Sequence, residues 1–141
     1  MSVAFFDTNV LVYMFESDQT EKQKRATALY EEHLGQDSVV LSVQVLNEFF
    51  TAVTRRAAAK MSISSAVRAV ESLAIGTVHP LDVDLTFKAI KRAEGSRLNF
   101  WDALIVESSL RAKAEVLYTE DLQHGQVIDG LRIENPFRDL N

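Results

Sequence analysis

The sequence predicts an α/β fold in which a mostly parallel sheet is covered on both faces by helices. Three observations carry this expectation. Short apolar runs suited to buried strands alternate with longer stretches whose apolar residues recur at helical spacing. Turn and cap residues stand at the junctions between them. With 141 residues, 5 Gly and 2 Pro, the chain can bury one sizeable core and leaves little room for linkers, so a single domain over residues 1–141 is expected.

Taken in order, Val3-Ala4-Phe5-Phe6 is a short apolar run that ends in the turn formers Asp7-Thr8-Asn9, and it reads as a buried first strand. Residues 21–35 read as a polar helix with Ala26, Leu29 and Tyr30 on its inner side, stopped at Gly35. Val39-Val40-Leu41 is the second strand. Ser42 can then cap a helix running to about Lys60, along which Val43, Leu46, Phe50 and Val53 repeat at helical spacing. Ser62 starts another helix with Ile63, Val67, Val70 and Leu73 inward, closed by Gly76. Thr77-Val78-His79 is a weaker third strand. Asp82 can cap a helix that ends near Gly95, and Asn99 a strongly apolar helix over residues 100–114. The strand Val116-Leu117-Tyr118 follows. The tail carries turn signals at Gly125 and Gly130 and a last short strand around residues 131–133.

Composition excludes several chemistries. Cysteine is absent, which removes disulfides, thiolate zinc sites, iron–sulfur clusters and cysteine nucleophiles. The three histidines, His33, His79 and His124, are scattered without the pairing a zinc enzyme uses. No basic region followed by an apolar stretch opens the chain, and no apolar run approaches the length of a membrane span, so a cytoplasmic protein without membrane attachment is expected. The formal charge of −5 argues against gripping nucleic acid by bulk positive charge. Two divalent ions held by the acids would bring that formal value from −5 to −1.

Four acids stand at the ends of predicted elements, where open parallel sheets bind ligands. Asp7 follows the first strand, and Asp121 follows the Tyr118 strand by three residues. Glu48 lies in the second turn of the helix after the second strand, and Asp102 in the first turn of the apolar helix. Each also has an ordinary structural reading. Asp7 suits an Asx turn. Glu48 shares a polar stripe with Gln44, Thr51 and Arg55, and Asp102 favours the helix dipole three residues after the Asn99 cap. Asp121 sits in a loop, where acids are routine.

Order and local context single the four out: Phe6-Asp7-Thr8-Asn9, Asn47-Glu48-Phe49, Phe100-Trp101-Asp102-Ala103-Leu104-Ile105 and Tyr118-Thr119-Glu120-Asp121-Leu122, with a closing Asn135-Pro136-Phe137. In these motifs the chain resembles the PIN domain, specifically the VapC-type toxins of bacterial toxin–antitoxin pairs, over essentially its whole length. The resemblance implies a three-layer α/β/α sandwich and a magnesium- or manganese-dependent endoribonuclease that acts on single-stranded or looped RNA. Asp7, Glu48 and Asp102 match the three most constant family acids, and Asp121 the more variable fourth, with Glu120 beside it as the competing assignment. Thr8, Asn9 and Thr119 match small polar positions that orient the acids or a water. The partners implied are an RNA substrate, a cognate VapB-like antitoxin and a second copy of the chain in a homodimer. The chemistry agrees, since magnesium takes oxygen ligands and keeps several waters, so a few carboxylates suffice and no histidine is needed.

Among other residues, Trp101 can stack a base, but its apolar helix favours core packing. Phe49 and Phe50 can line a groove for an antitoxin, with at least one of them in the core. Arg55, Arg56, Lys60, Lys88, Lys91, Arg92 and Arg97 are candidates for phosphate contact, most of them on solvated helix faces. Arg97, nearest in sequence to Asp102, is the first choice. The haloacid dehalogenase-type signature needs a second Asp where Asn9 stands, and neither GxGxxG nor GxxxxGK[ST] occurs. The alternative from a different class is a catalytically inactive interaction module that keeps the fold.

Overall fold

The computed structural model describes residues 2–55 and 61–140. Six strands and six helices are found among them: β1 (Ala4–Phe6), α1 (Thr8–Tyr13), α2 (Thr20–Gly35), β2 (Val39–Ser42), α3 (Val43–Arg55), α4 (Ile63–Leu73), β3 (Thr77–His79), α5 (Val83–Glu94), α6 (Phe100–Arg111), β4 (Val116–Tyr118), β5 (Val127–Ile128) and β6 (Leu131–Glu134). The strands form one sheet in the order β3-β2-β1-β4-β6-β5. All pairings are parallel except β5 with β6.

The sheet is closed to water on both faces at its centre. Every residue of β1, β2 and β4 is buried, with no alternation of inner and outer positions. Such strands need a helical layer on each side, as the apolar runs predicted. Phe6 packs on Tyr30 and His33 of α2 and on Tyr118 of β4, with ring centroids 5.1–5.8 Å apart. A smaller cluster of Leu85, Ala89, Ala103 and Leu104 joins α5 to α6.

The predicted caps are present. The side chain of Ser62 accepts from Ser65 N, that of Asp82 from Leu85 N and that of Asn99 from Asp102 N, each satisfying an amide that a helix start leaves without a partner. Two helices keep part of their predicted faces, with Val53 and Leu73 buried and Leu46, Phe50 and Val70 packed partly buried against the core, and turn the rest. In α3 the buried stripe is Gln44, Val45, Phe49 and Val53, while Val43 is exposed. In α4 it is Ala66, Ala69 and Leu73, with Ile63 and Val67 facing outward. The end of the expected helix near Lys60, and with it Arg56, lies outside the described residues. The tail holds one more strand than expected. Asp129 and Gly130, at φ 49° and 89°, turn β5 back onto β6, the positive-φ pair that a tight hairpin needs.

This order places the ends of β1 and β4 side by side. To one side the chain runs β1, β2, β3, and to the other β4 and β6, so the strand order reverses between β1 and β4. Crevices form outside the carboxyl ends of strands at such a reversal. Among the described residues, no helix is long and apolar enough to cross a membrane.

Candidate functional site

Asp7 leaves β1 directly into α1 and caps it. Its Oδ1 accepts from Thr8 N at 2.7 Å, and its Oδ2 accepts from the Thr119 hydroxyl at 2.7 Å. The structural role and the candidate functional role therefore coincide in one side chain. Asp7 is buried, and burial is the main cause that raises its pKa from the usual 3.8 to about 7. The two hydrogen bonds oppose the rise, and the Asp121 and Glu48 carboxylates add to it.

The other acids are held around it by short polar side chains. Thr8, next along the chain, donates its hydroxyl to Glu48 Oε1 at 2.9 Å. Asn9 Nδ2 donates to Asp121 Oδ2 at 3.0 Å, and its Oδ1 accepts from Glu120 N at 3.3 Å. Thr119 is fully buried, and besides donating to Asp7 it accepts from Asp121 N at 3.1 Å. Thr8, Asn9 and Thr119 thus join the end of β1 to α3 and to the loop after β4. Asp102 is fixed from its own helix start, where Asn99 Nδ2 donates to its Oδ2 at 3.1 Å. Burial, then Asp121, then Glu48 push the Asp102 carboxyl above the usual carboxylate range, against the Asn99 hydrogen bond.

Asp7, Glu48, Asp102 and Asp121 all line one open cleft of about 630 Å³, and among the described residues no Lys or Arg lines it. Gln44 was expected on a polar outer stripe, yet it is buried. Its Nε2 donates to Glu48 Oε2 at 3.4 Å and to the Trp101 carbonyl at 3.2 Å, tying α3 to α6. The signal for it was its position four residues before Glu48 on one helix face. The Gln44 amide oxygen stays buried with no hydrogen-bond partner among the described residues.

Glu120 and Asp121 part company. Glu120 Oε1 accepts from Tyr13 OH at 2.8 Å and its Oε2 meets Lys22 Nζ at 3.2 Å, under the Lys22–Tyr13–Phe137 stack and outside the cleft lining. Arg97 is exposed, without an ion-pair partner among the described residues, and lines a neighbouring hollow that shares Asp121 with the main cleft. Arg92, in the same hollow, is engaged by Glu107 and Asp129. Trp101 corrects the expectation of core packing. It is 60% exposed and lines the acidic cleft, whereas Ala103, Leu104, Ile105 and Val106 of the same helix are buried. Phe49 is core and Phe50 only partly buried.

The donor set can be tested against a divalent cation. Among the described residues no three His, Asp or Glu side chains are drawn together as a ready-made ligand group. A closed protein cage, as calcium or structural zinc sites use, is therefore not what the cleft offers. Its carboxylates, spread around an open volume with no Lys or Arg among the described lining residues, leave room instead for a hard ion that keeps part of its water shell.

Three comparisons bear on the chain. The family model described as PIN domain matches residues 4–128. No curated protein matches in sequence. Among solved structures, a toxin–antitoxin complex from Klebsiella pneumoniae superposes with a TM-score of 0.69 at 18% identity, over 94% of this chain and 97% of that one. VapBC2 from Rickettsia felis, bound to a DNA fragment from its promoter, gives a TM-score of 0.67 at 16% identity, covering 94% and 98%. Mycobacterium tuberculosis VapC20, a toxin that cleaves the sarcin–ricin loop, gives 0.64 at 19% identity, covering 84% and 89%. At these identities the likeness is one of fold.

Proposed function

Because the chain belongs to the PIN-domain family, we propose that it is a magnesium- or manganese-dependent endoribonuclease, the toxin of a toxin–antitoxin pair, acting as a single catalytic domain in the cytoplasm. The observation that carries this reading is the cleft itself, whose lining takes one carboxylate from each of four separate segments and, among the described residues, no Lys or Arg. A protein has little reason to hold such like charges together unless a cation joins them.

Asp7, Glu48, Asp102 and Asp121 are the residues that would hold the metal. Bound there, a divalent ion supplies an activated water and charge stabilisation for the leaving oxygen of a phosphodiester. The chain's part is to position. Thr8 holds Glu48, Thr119 holds Asp7, and Asn9 holds Asp121 while anchoring the loop through Glu120 N. The raised pKa of Asp7 means that near neutral pH its carboxylate can take or lose a proton at modest cost when nothing else is bound. Arg97, on the rim of the adjoining hollow, is the candidate for contact with a flanking RNA phosphate.

The structural relatives include toxin–antitoxin complexes, which supports a VapB-like antitoxin as a partner, and a homodimer is part of the same reading. Incubating the purified chain with mixed cellular RNA in magnesium or in EDTA tests it. New RNA ends in magnesium alone are expected, and identical RNA in both would reject the reading.

A further inference from the structure

Trp101 is the only tryptophan in the chain, and the residue is 60% exposed and lines an acidic cleft. A large aromatic surface left in water forgoes the burial that normally stabilises it. Its backbone is nonetheless fixed, since Trp101 is in the first turn of α6 and its carbonyl accepts from buried Gln44. Phe100 meets the ring in a T-shaped contact, with centroids 5.0 Å apart and planes at 78°. Trp101 and the Asp102 that follows it both line this cleft. Leu81 lines the same cleft.

Among the described residues no Lys or Arg lines the cleft, so none of them is placed there to ion-pair with a nucleotide's phosphate. Beside whatever cation the acids hold, the exposed aromatic surface of Trp101 is what these residues offer to a base. We propose that Trp101 is a stacking platform for one nucleobase flanking the scissile phosphate, a binding contact made by this side chain in addition to the acids. This rests on the nuclease reading above. A base in a duplex has both faces occupied by its neighbours, so the platform can take only a base that is splayed out.

The test uses a short single-stranded oligoribonucleotide, the same strand with abasic positions, and its fully paired duplex. Trp101→Leu should raise KM for the single strand by about tenfold, the order of one stacked base, with kcat little changed and Trp101→Phe largely restoring KM. The salt dependence of kcat/KM should be unaltered, because stacking releases no counterions. Independently, the single strand, added in calcium to slow turnover, should quench the intrinsic fluorescence of the sole tryptophan, and the abasic strand should not. Wild-type KM in Trp101→Leu, or a fluorescence signal unmoved by a strand that is demonstrably cut, overturns the platform while leaving the nuclease intact. Quenching by a strand that is never cut keeps the platform and rejects the nuclease. Neither quenching nor cleavage rejects both.

Discussion

Removing the charge of Asp7 should stabilise the metal-free protein above neutral pH, although it damages a helix cap. The folded-state pKa of about 7 compares with 3.8 for an ordinary Asp. At about 1.4 kcal/mol per pKa unit, this corresponds to about 4 kcal/mol against the ionised form. An acid with a raised folded pKa keeps its proton in the folded state after the unfolded chain has lost it. Wild-type stability in EDTA should therefore fall as pH rises from about 4 to about 7, then level off. Asp7→Asn has no such segment in its profile. The substitution sacrifices one of the two acceptor bonds to Thr8 N and the Thr119 hydroxyl, which costs about 1–2 kcal/mol. About 2 kcal/mol of net stabilisation is left at pH 8. At about 2.1 cal/mol/K per residue over 141 residues, that is a melting temperature raised by roughly 7 °C. Below about pH 4.5, where Asp7 is neutral in the fold, the order should reverse by the value of the lost bond. Magnesium should stabilise the wild type more than the variant, by binding only the folded state. Thermal melts at pH 4.5 and pH 8, in EDTA and in magnesium, read all of this. A variant less stable than wild type at both pH values, with no metal response in either protein, would refute the reasoning and leave Asp7 a cap alone.

Four other outcomes are expected. Glu120→Gln should leave RNA cleavage within about fivefold of wild type, since its part-exposed pairing with Lys22 contributes under about 1 kcal/mol. Asp121→Asn should cost more than that but less than Asp7→Asn, because Asp121 is exposed and water can replace it; equal loss for Asp121 and Asp7 on one RNA substrate rejects the ranking. Arg97→Gln should weaken RNA binding and flatten the plot of log affinity against log salt by about 0.7, one single-strand phosphate contact, and an unchanged slope removes Arg97 from the RNA path. A cognate antitoxin should cover the acidic cleft with a basic side chain and stop cleavage; one that binds elsewhere and leaves turnover intact contradicts that arrangement.

Much of the fold could be read from residues because the signals were local. The runs at β1, β2 and β4 are apolar at every position, and Ser62, Asp82 and Asn99 stand where helix-starting amides need acceptors. Helix phase was harder. In α3, Val43 and Val45 flank Gln44, so more than one stripe has the right spacing, and tertiary packing chose Val45, Phe49 and Val53. In α4 the small Ala66 and Ala69 face inward while the larger Ile63 and Val67 do not, an outcome that side-chain hydrophobicity ranks the wrong way. Trp101 was misjudged for a related reason, since a continuous apolar helix does not reveal which residue faces its open end. The grouping of Asp7, Glu48, Asp102 and Asp121 depends on β2, β1 and β4 lying side by side, and no spacing along the chain encodes that order. The places of the acids at the ends of predicted elements allowed one shared edge, and the motifs around each acid singled them out.

The central claim is that these carboxylates hold a catalytic cation, and cleavage of one defined single-stranded RNA by wild type, Asp7→Asn and Asp102→Asn tests it most directly. The account predicts cutting by wild type in magnesium or manganese, none in EDTA, and losses of about a hundredfold or more in each variant, the scale of several kcal/mol of charge stabilisation withdrawn. Turnover at the wild-type rate by either purified variant, or cleavage that persists in EDTA, would contradict it.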